Sequence, residues 1–299
     1  MNEQNTNPNF LDIPANLCDP EFAKIHIIPI PYDLTSTYRK GSDKGPAAII
    51  QASAYVEWYD IETNIEVHKH GIHTQQSLEC SNMSPIDLAT HVRSRVSEVL
   101  NAGKLPVVLG GEHSVSIGAF EAAAEFSSQL TILQIDAHGD TRESYQGSTH
   151  NHACVMARAK ELASITQVGI RALDSEELGV MDLDRVFFGH QIEKHVHQRD
   201  DSWMDDVVNQ LNPQVYLTID LDAFDPSIIP STGTPEPGGM DWRTMNELIR
   251  RVARSREIIG FDIVELCPNP NHHASDFIAA KLVLRVLAEI FSSRSIAES

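Results

Sequence analysis

The sequence predicts a doubly wound α/β domain. Three observations carry that reading: near-continuous apolar runs that read as buried strands, helical periodicity between them, and no linker to divide the chain. In chain order the strand runs are Ile25–Ile30, Leu105–Leu109, Thr131–Ile135, Ile165–Ile170, Val215–Ile219 and Ile258–Val264. Each is short, β-branched and bounded by punctuating residues. Unbroken apolar character, rather than alternation, is what a parallel sheet covered on both faces produces.

Helices fill the intervals. Ser84, Pro85 and Asp87 supply a cap residue, a proline at the first position and an acid in the first turn. Leu88, Val92, Val96, Val99 and Leu100 then recur at helical spacing, and Gly103 stands where a C-terminal cap belongs. Asp241 is placed to cap a second helix through Leu248 and Val252, and 277–290 reads as a third. The Pro- and Gly-rich stretch 225–241 is too short for a tether between domains. Residues 1–22 read as a loose polar tail and 23–299 as one domain.

Composition narrows the functions. The chain has 299 residues, 23 basic against 42 acidic, for a net charge of −19. Such a surface repels phosphate backbones and attracts cations, so no nucleic-acid partner is expected. No stretch approaches the roughly 20 apolar residues of a membrane helix, and the polar N-terminus does not read as a secretory signal. Four well-separated cysteines form no C-x-x-C pair, which fits a reducing cytoplasm better than a disulfide framework.

The chemistry gathers after the strands. Gly110-Gly111-Glu112-His113-Ser114 follows the second run, Asp136-Ala137-His138-Gly139-Asp140 the third, Asp220-Leu221-Asp222 the fifth and Glu265 the sixth. In parallel sheets ligands bind at the carboxyl ends of strands, and here four of those ends carry carboxylates and histidines. Residues two apart on an extended chain share a side, so Asp136 and His138 should converge, as should Asp220 and Asp222. Taken singly, D-x-D reads as a solvated turn, His113 as a satisfied histidine and Glu265 as a buried ion-pair partner. Taken together, His113, Asp136, His138, Asp140, Asp220 and Asp222 form a crowd of carboxylates that cannot be buried without positive charge. Two divalent ions about 3.5–4 Å apart would use all six groups. The mixed N/O set suits Mn2+, with Ni2+, Co2+ or Zn2+ as alternatives.

These same blocks resemble the ureohydrolase family, which includes arginases, agmatinases and related guanidino-acid hydrolases. GGEHS at 110–114, DAHGD at 136–140, and DLDAFDPS with STGTP within 220–235 match in order, and similarity extends from PIPYDLTSTYRKGSDKGPAAI to FDIVELCP. The resemblance implies a single three-layer α/β/α domain with a mostly parallel sheet. It implies His113, Asp136, Asp140 and Asp220 around one Mn2+ and Asp136, His138, Asp220 and Asp222 around the other. It places His152 as a proton shuttle with His150 as a rival, Glu265 as the guanidinium grip, and Thr234 nearby. It further implies a homo-oligomer, trimer or hexamer. Gly139 and Ala153 depart from the commonest pattern without removing a ligand.

The reaction so implied is hydrolysis of a small cationic guanidino compound to urea and an amine, with Asp140 relaying a proton. Glu112, where arginases carry Asp, together with Gly169-Ile170-Arg171 and Glu176-Glu177, looks like agmatinases. Agmatine is therefore the first expectation. Its distal ammonium asks for a carboxylate, for which Glu143 and Asp174 are candidates. Guanidinobutyrate, arginine, aminopropylagmatine and guanidine are the alternatives. A single-zinc deacetylase would leave His113, Asp140 and Asp222 surplus, and a non-catalytic paralogue would have no use for the full ligand set.

Overall fold

A computed structural model describes residues 8–297, with side chains described through residue 294. The elements, in order, are β1 (Ile25–Ile30), α1 (Gly45–Ser53), β2 (Tyr59–Asp60), β3 (Ile65–Glu66), β4 (Ile72–Thr74), α2 (Pro85–Asn101), β5 (Leu105–Gly110) and α3 (Ser116–Phe126). There follow β6 (Leu130–Ile135), α4 (Val155–Leu162), β7 (Ser164–Ile170), α5 (Ser175–Leu178), β8 (Val186–Phe188), α6 (Gly189–Gln198) and α7 (Ser202–Asn209). The last are β9 (Gln214–Asp220), α8 (Trp242–Ser255), β10 (Glu257–Val264) and α9 (Ala274–Ala297).

Eight strands form one sheet in the order β4-β1-β5-β10-β9-β6-β7-β8, and every pairing in it is parallel. The small β2–β3 hairpin stands apart. Because all strands run the same way, all their carboxyl ends share one edge. The four strands that end in acidic or histidine motifs, β5, β10, β9 and β6, are consecutive at the centre of the sheet. The chain leaves β5 for β6 and only later returns to fill the gap with β9 and β10. That return is what concentrates four motifs in one place.

Two apolar layers flank the sheet. Alternate residues of the same strand serve opposite layers: Ile25 and Ile27 of β1 face one, Ile28 and Ile30 the other. Helices α1, α7, α8 and α9 cover the first face, and α2, α3 and α4 the second. Burial on both faces explains the unbroken apolar runs in the sequence.

The capping expectations meet matching geometry. The Asp87 N–H donates to Ser84 Oγ at 3.2 Å, Gly103 takes the left-handed conformation beyond α2, and the Thr244 N–H donates to Asp241 Oδ1 at 2.7 Å. The final helix begins at Ala274 rather than 277 and runs past 290. The expected tail needs correction. Its first seven residues lie outside the described ones, but Phe10, Leu11 and Ile13 are buried in the core, and Leu11 donates its N–H to Ser53 Oγ at 2.8 Å. A mostly polar segment hid a short apolar cluster, Phe10, Leu11 and Ile13, through which it docks.

Candidate metal centre

The ligand motifs sit where β5, β6, β9 and β10 run out. Close packing shapes the first of them. A Cβ on Gly111 would lie 2.0 Å from the Tyr32 carbonyl oxygen, so only glycine lets the chain turn there against β1. His113 follows, fully buried. Its Nε2 lies 2.9 Å from Thr218 Oγ1, and that hydroxyl donates to Asp262 Oδ1 at 2.6 Å. With its single proton committed to Asp262, the hydroxyl accepts from Nε2–H, so the neutral imidazole carries a bare Nδ1.

That nitrogen faces three carboxylates: Asp136 at 3.1 Å, Asp140 at 3.1 Å and Asp220 at 3.5 Å. None completes a hydrogen bond with it, and Nδ1 is buried without a partner. A lone pair enclosed by three carboxylates is the arrangement of ligands around a cation, and the donor set fits a divalent metal ion. His113, Asp136 and Asp140 each bring a ligand atom within 4.8 Å of the others, and so do Asp136, His138 and Asp222. His138 Nδ1 is 2.9 Å from Asp222 and 3.7 Å from Asp136. Asp136 belongs to both groups.

Parallel pairing with the neighbouring segment continues beyond β6 as far as His138, which bridges Ala172, so Asp136 and His138 lie two apart on paired backbone. Side chains also fold the backbone around themselves, most plainly where β9 passes into the turn Leu221–Ala223. The His138 N–H donates to Asp136 Oδ1 at 2.6 Å, the Asp222 N–H to Asp220 Oδ1 at 2.8 Å, and the Ala137 N–H to Asp222 Oδ1 at 3.1 Å. The carboxylates thus shape their own loops. Asp140 and Glu265 both hold positive φ, at 51° and 66°, a costly backbone for residues with a Cβ. Asp140 is fastened there because its carbonyl accepts from the Met156 and Ala157 N–H groups at the start of α4.

The electrostatics show an acid cluster short of positive charge. Burial, then Asp222 and Asp136, drives Asp220 well above the carboxylate range. Burial and the neighbouring Asp136 push Asp140 up to about 6. Burial and Glu112 push Glu265 up to about 8. Burial lowers the His138 pKa, but Asp222 and Asp136 outweigh it and push it up to about 12. Each shift shows the gathered carboxylates favouring positive charge among them.

A cavity of about 310 Å³ opens over this cluster. Glu265 lines it; its Oε1 accepts the His113 N–H at 2.8 Å. His152, Thr234 and Asp174 line it as well. His150 does not. It is half-buried, with Nδ1 3.0 Å from Thr149 Oγ1. Glu143 stands away from the cavity, exposed and paired with Arg158 at 2.7 Å, so it is not placed to read a substrate bound there. Asp174 caps α5 and lies 3.5 Å from Arg142, a cation the sequence reading overlooked.

Several other residues were missed. Thr218 and Asp262 lie inside an apolar strand pattern and give no outward signal. Arg171, noted only as part of a tripeptide, donates to the carbonyls of Asp222 at 2.6 Å, Glu236 at 2.7 Å and Pro237 at 3.1 Å, holding the β9 turn to the cavity loop. Glu112 was singled out in the sequence, but its partners were not: fully buried, it accepts from the Thr35, Ser36 and Ser114 hydroxyls.

A doubly wound sheet with two overlapping groups of candidate metal ligands at its carboxyl edge defines the class. Within that class, the arginase family model matches residues 23–288. An N(1)-aminopropylagmatine ureohydrolase of Synechocystis is 37% identical over 275 residues, covering 89% of this chain and 88% of the relative. An agmatinase of Pyrococcus horikoshii is 33% identical, with 87% and 90% covered. The agmatine ureohydrolase structure from Thermoplasma volcanium superposes with a TM-score of 0.86 at 32% identity, over 97% of each chain. The chain belongs to the arginase family, whose members are binuclear metal hydrolases.

Proposed function

We propose that the chain is a ureohydrolase that cleaves a small cationic guanidine, agmatine first, to urea and the corresponding amine. The observation that carries this is the His113 imidazole turned by Thr218 onto three carboxylates, with the Glu265 carboxylate lining the same cavity. Two bound divalent ions, Mn2+ by preference, supply Lewis acidity and make hydroxide accessible near neutral pH.

The chain's own residues do the rest. Glu265, with Oε1 held by a backbone N–H, offers its other oxygen to the guanidinium N–H groups through charge-assisted hydrogen bonds. That fixes the guanidinium carbon over the cation site. Asp140 lies within the same cluster and can take up a proton released there. Burial first of all holds His152 below the ordinary histidine range, so near neutral pH its imidazole is uncharged and has a lone pair with which to take a proton and pass it to the leaving amine. The net charge of −19 favours capture of a cation.

Aminopropylagmatine is the second reading, because four relatives at 35–37% identity carry that substrate in their names. Asp174 and Glu236 at the cavity wall offer carboxylates to the extra ammonium. A trimer or hexamer in the cytoplasm is the setting expected of such an enzyme. Urea release from a panel of agmatine, aminopropylagmatine, guanidinobutyrate, arginine and guanidine, with Mn2+ and again with Ni2+, tests the reading. Activity on none of them would refute it.

A further inference from the structure

Thr35 lies in the loop after β1, far in sequence from Glu112 and His152, yet its hydroxyl meets both. Oγ1 donates to Glu112 Oε1 at 2.6 Å. The same oxygen accepts the His152 backbone N–H at 3.1 Å and lies 3.1 Å from His152 Nδ1. Glu112 is fully buried and pinned from several sides: by the Thr35 N–H at 2.7 Å, the Ser36 hydroxyl at 3.1 Å and the Ser114 hydroxyl at 2.6 Å. The acceptor for the Thr35 proton is therefore fixed in place.

A hydroxyl has one proton and two lone pairs. With the proton committed to Glu112, Thr35 can only accept from His152. Nδ1 must then carry the hydrogen, which leaves Nε2 with its open lone pair on a ring that lines the cavity. Tyr145 stands edge-on to that ring, with centroids 6.0 Å apart, and limits its rotation. His113 is oriented in the same way by Thr218 and Asp262, so the fold uses one carboxylate–hydroxyl–imidazole device twice, once at a ligand and once at the cavity wall.

We infer that Thr35, anchored by Glu112, is the positioning residue that fixes His152 as the Nδ1–H tautomer and presents Nε2 as the proton acceptor of the cavity. The inference rests on the proton-transfer role given to His152 above. It also gives a physical use for a long acid at position 112, since that side chain must reach across from the β5 turn to the β1 loop.

The test uses full-length protein loaded with Zn2+ and labelled with 15N-histidine, alongside steady-state kinetics of the Mn2+-loaded enzyme on the guanidine panel. The ring nitrogen shifts of wild-type His152 should report Nδ1–H. Thr35→Val keeps the branched shape but cannot accept. It should lose the single tautomer and lower kcat by roughly 10²-fold, with KM little changed and two metal ions retained. Thr35→Ser should restore both. An Nε2–H tautomer in the wild type would overturn the inference, and so would Thr35→Val with wild-type shifts and kcat. A wild-type enzyme inert on every guanidine would count against the proposed reaction alone, because the ring shifts still decide what Thr35 does.

Discussion

A threonine hydroxyl between a buried carboxylate and an imidazole decides which ring nitrogen is bare, and at His113 that choice turns Nδ1 towards three carboxylates. Thr218→Val removes the acceptor for Nε2–H while keeping the strand-compatible β-branch. His113 is then free to protonate Nδ1 and pair with the aspartates instead of a metal ion. Mn2+ affinity at that site should fall by roughly 10–100-fold, as read by metal titration, with the fold intact by circular dichroism. Unchanged affinity would mean that Thr218 only fills space. Residues of this kind explain the limit of sequence reading. His113, Asp136 and Asp220 announce themselves because charged groups at strand ends are out of place. Thr218 and Asp262 sit within a strand, where a hydroxyl passes for a β-former and an acid has no visible partner until β9 and β10 are paired.

At the scale of elements, the central strands were legible because burial on both faces leaves an apolar run with no interruption. β4 and β8 have three residues each, too few for any period to show. Helix α3 is rich in alanine, and its seating depends on something no periodicity reveals. A Cβ on Gly118 would lie 2.1 Å from the Ala89 carbonyl oxygen of α2. The two helices touch backbone to backbone at that glycine. Gly118→Ala should push α3 off α2 and cost roughly 1–3 kcal/mol, seen as a lower denaturation midpoint. Since α3 follows directly on the turn bearing His113, metal affinity should weaken with it. A variant of unchanged stability would show that the pair has slack. At Asp136–His138, parallel pairing that reaches His138 is joined by a side-chain cap from Asp136, and that cap was not legible in the sequence.

At the scale of the molecule, pH acts far from the metal centre as well. His26 in β1 is buried beside His73, with ring centroids 5.1 Å apart, and both its ring nitrogens lack hydrogen-bond partners. Burial first, then His73 and Lys104, pushes its pKa down to about 4. Below about pH 6.5, the ordinary histidine value, the unfolded chain binds a proton that the folded chain refuses, so folding is favoured less. The stability held back by His26 is present above pH 6.5 and is lost as pH falls towards 4. His26→Leu should flatten the decline in Tm between pH 7 and 5 relative to wild type; parallel declines would place the sensitive groups elsewhere.

The whole arrangement turns on one requirement, that the acids gathered at the carboxyl edge of β5, β6, β9 and β10 are neutralised by a pair of cations. Titration of metal-free protein with Mn2+, followed by calorimetry and elemental analysis, tests it most directly. Two ions bound per chain, with a rise in Tm as they bind, is the expected result. One ion or none, with the chain equally stable in their absence, would contradict it.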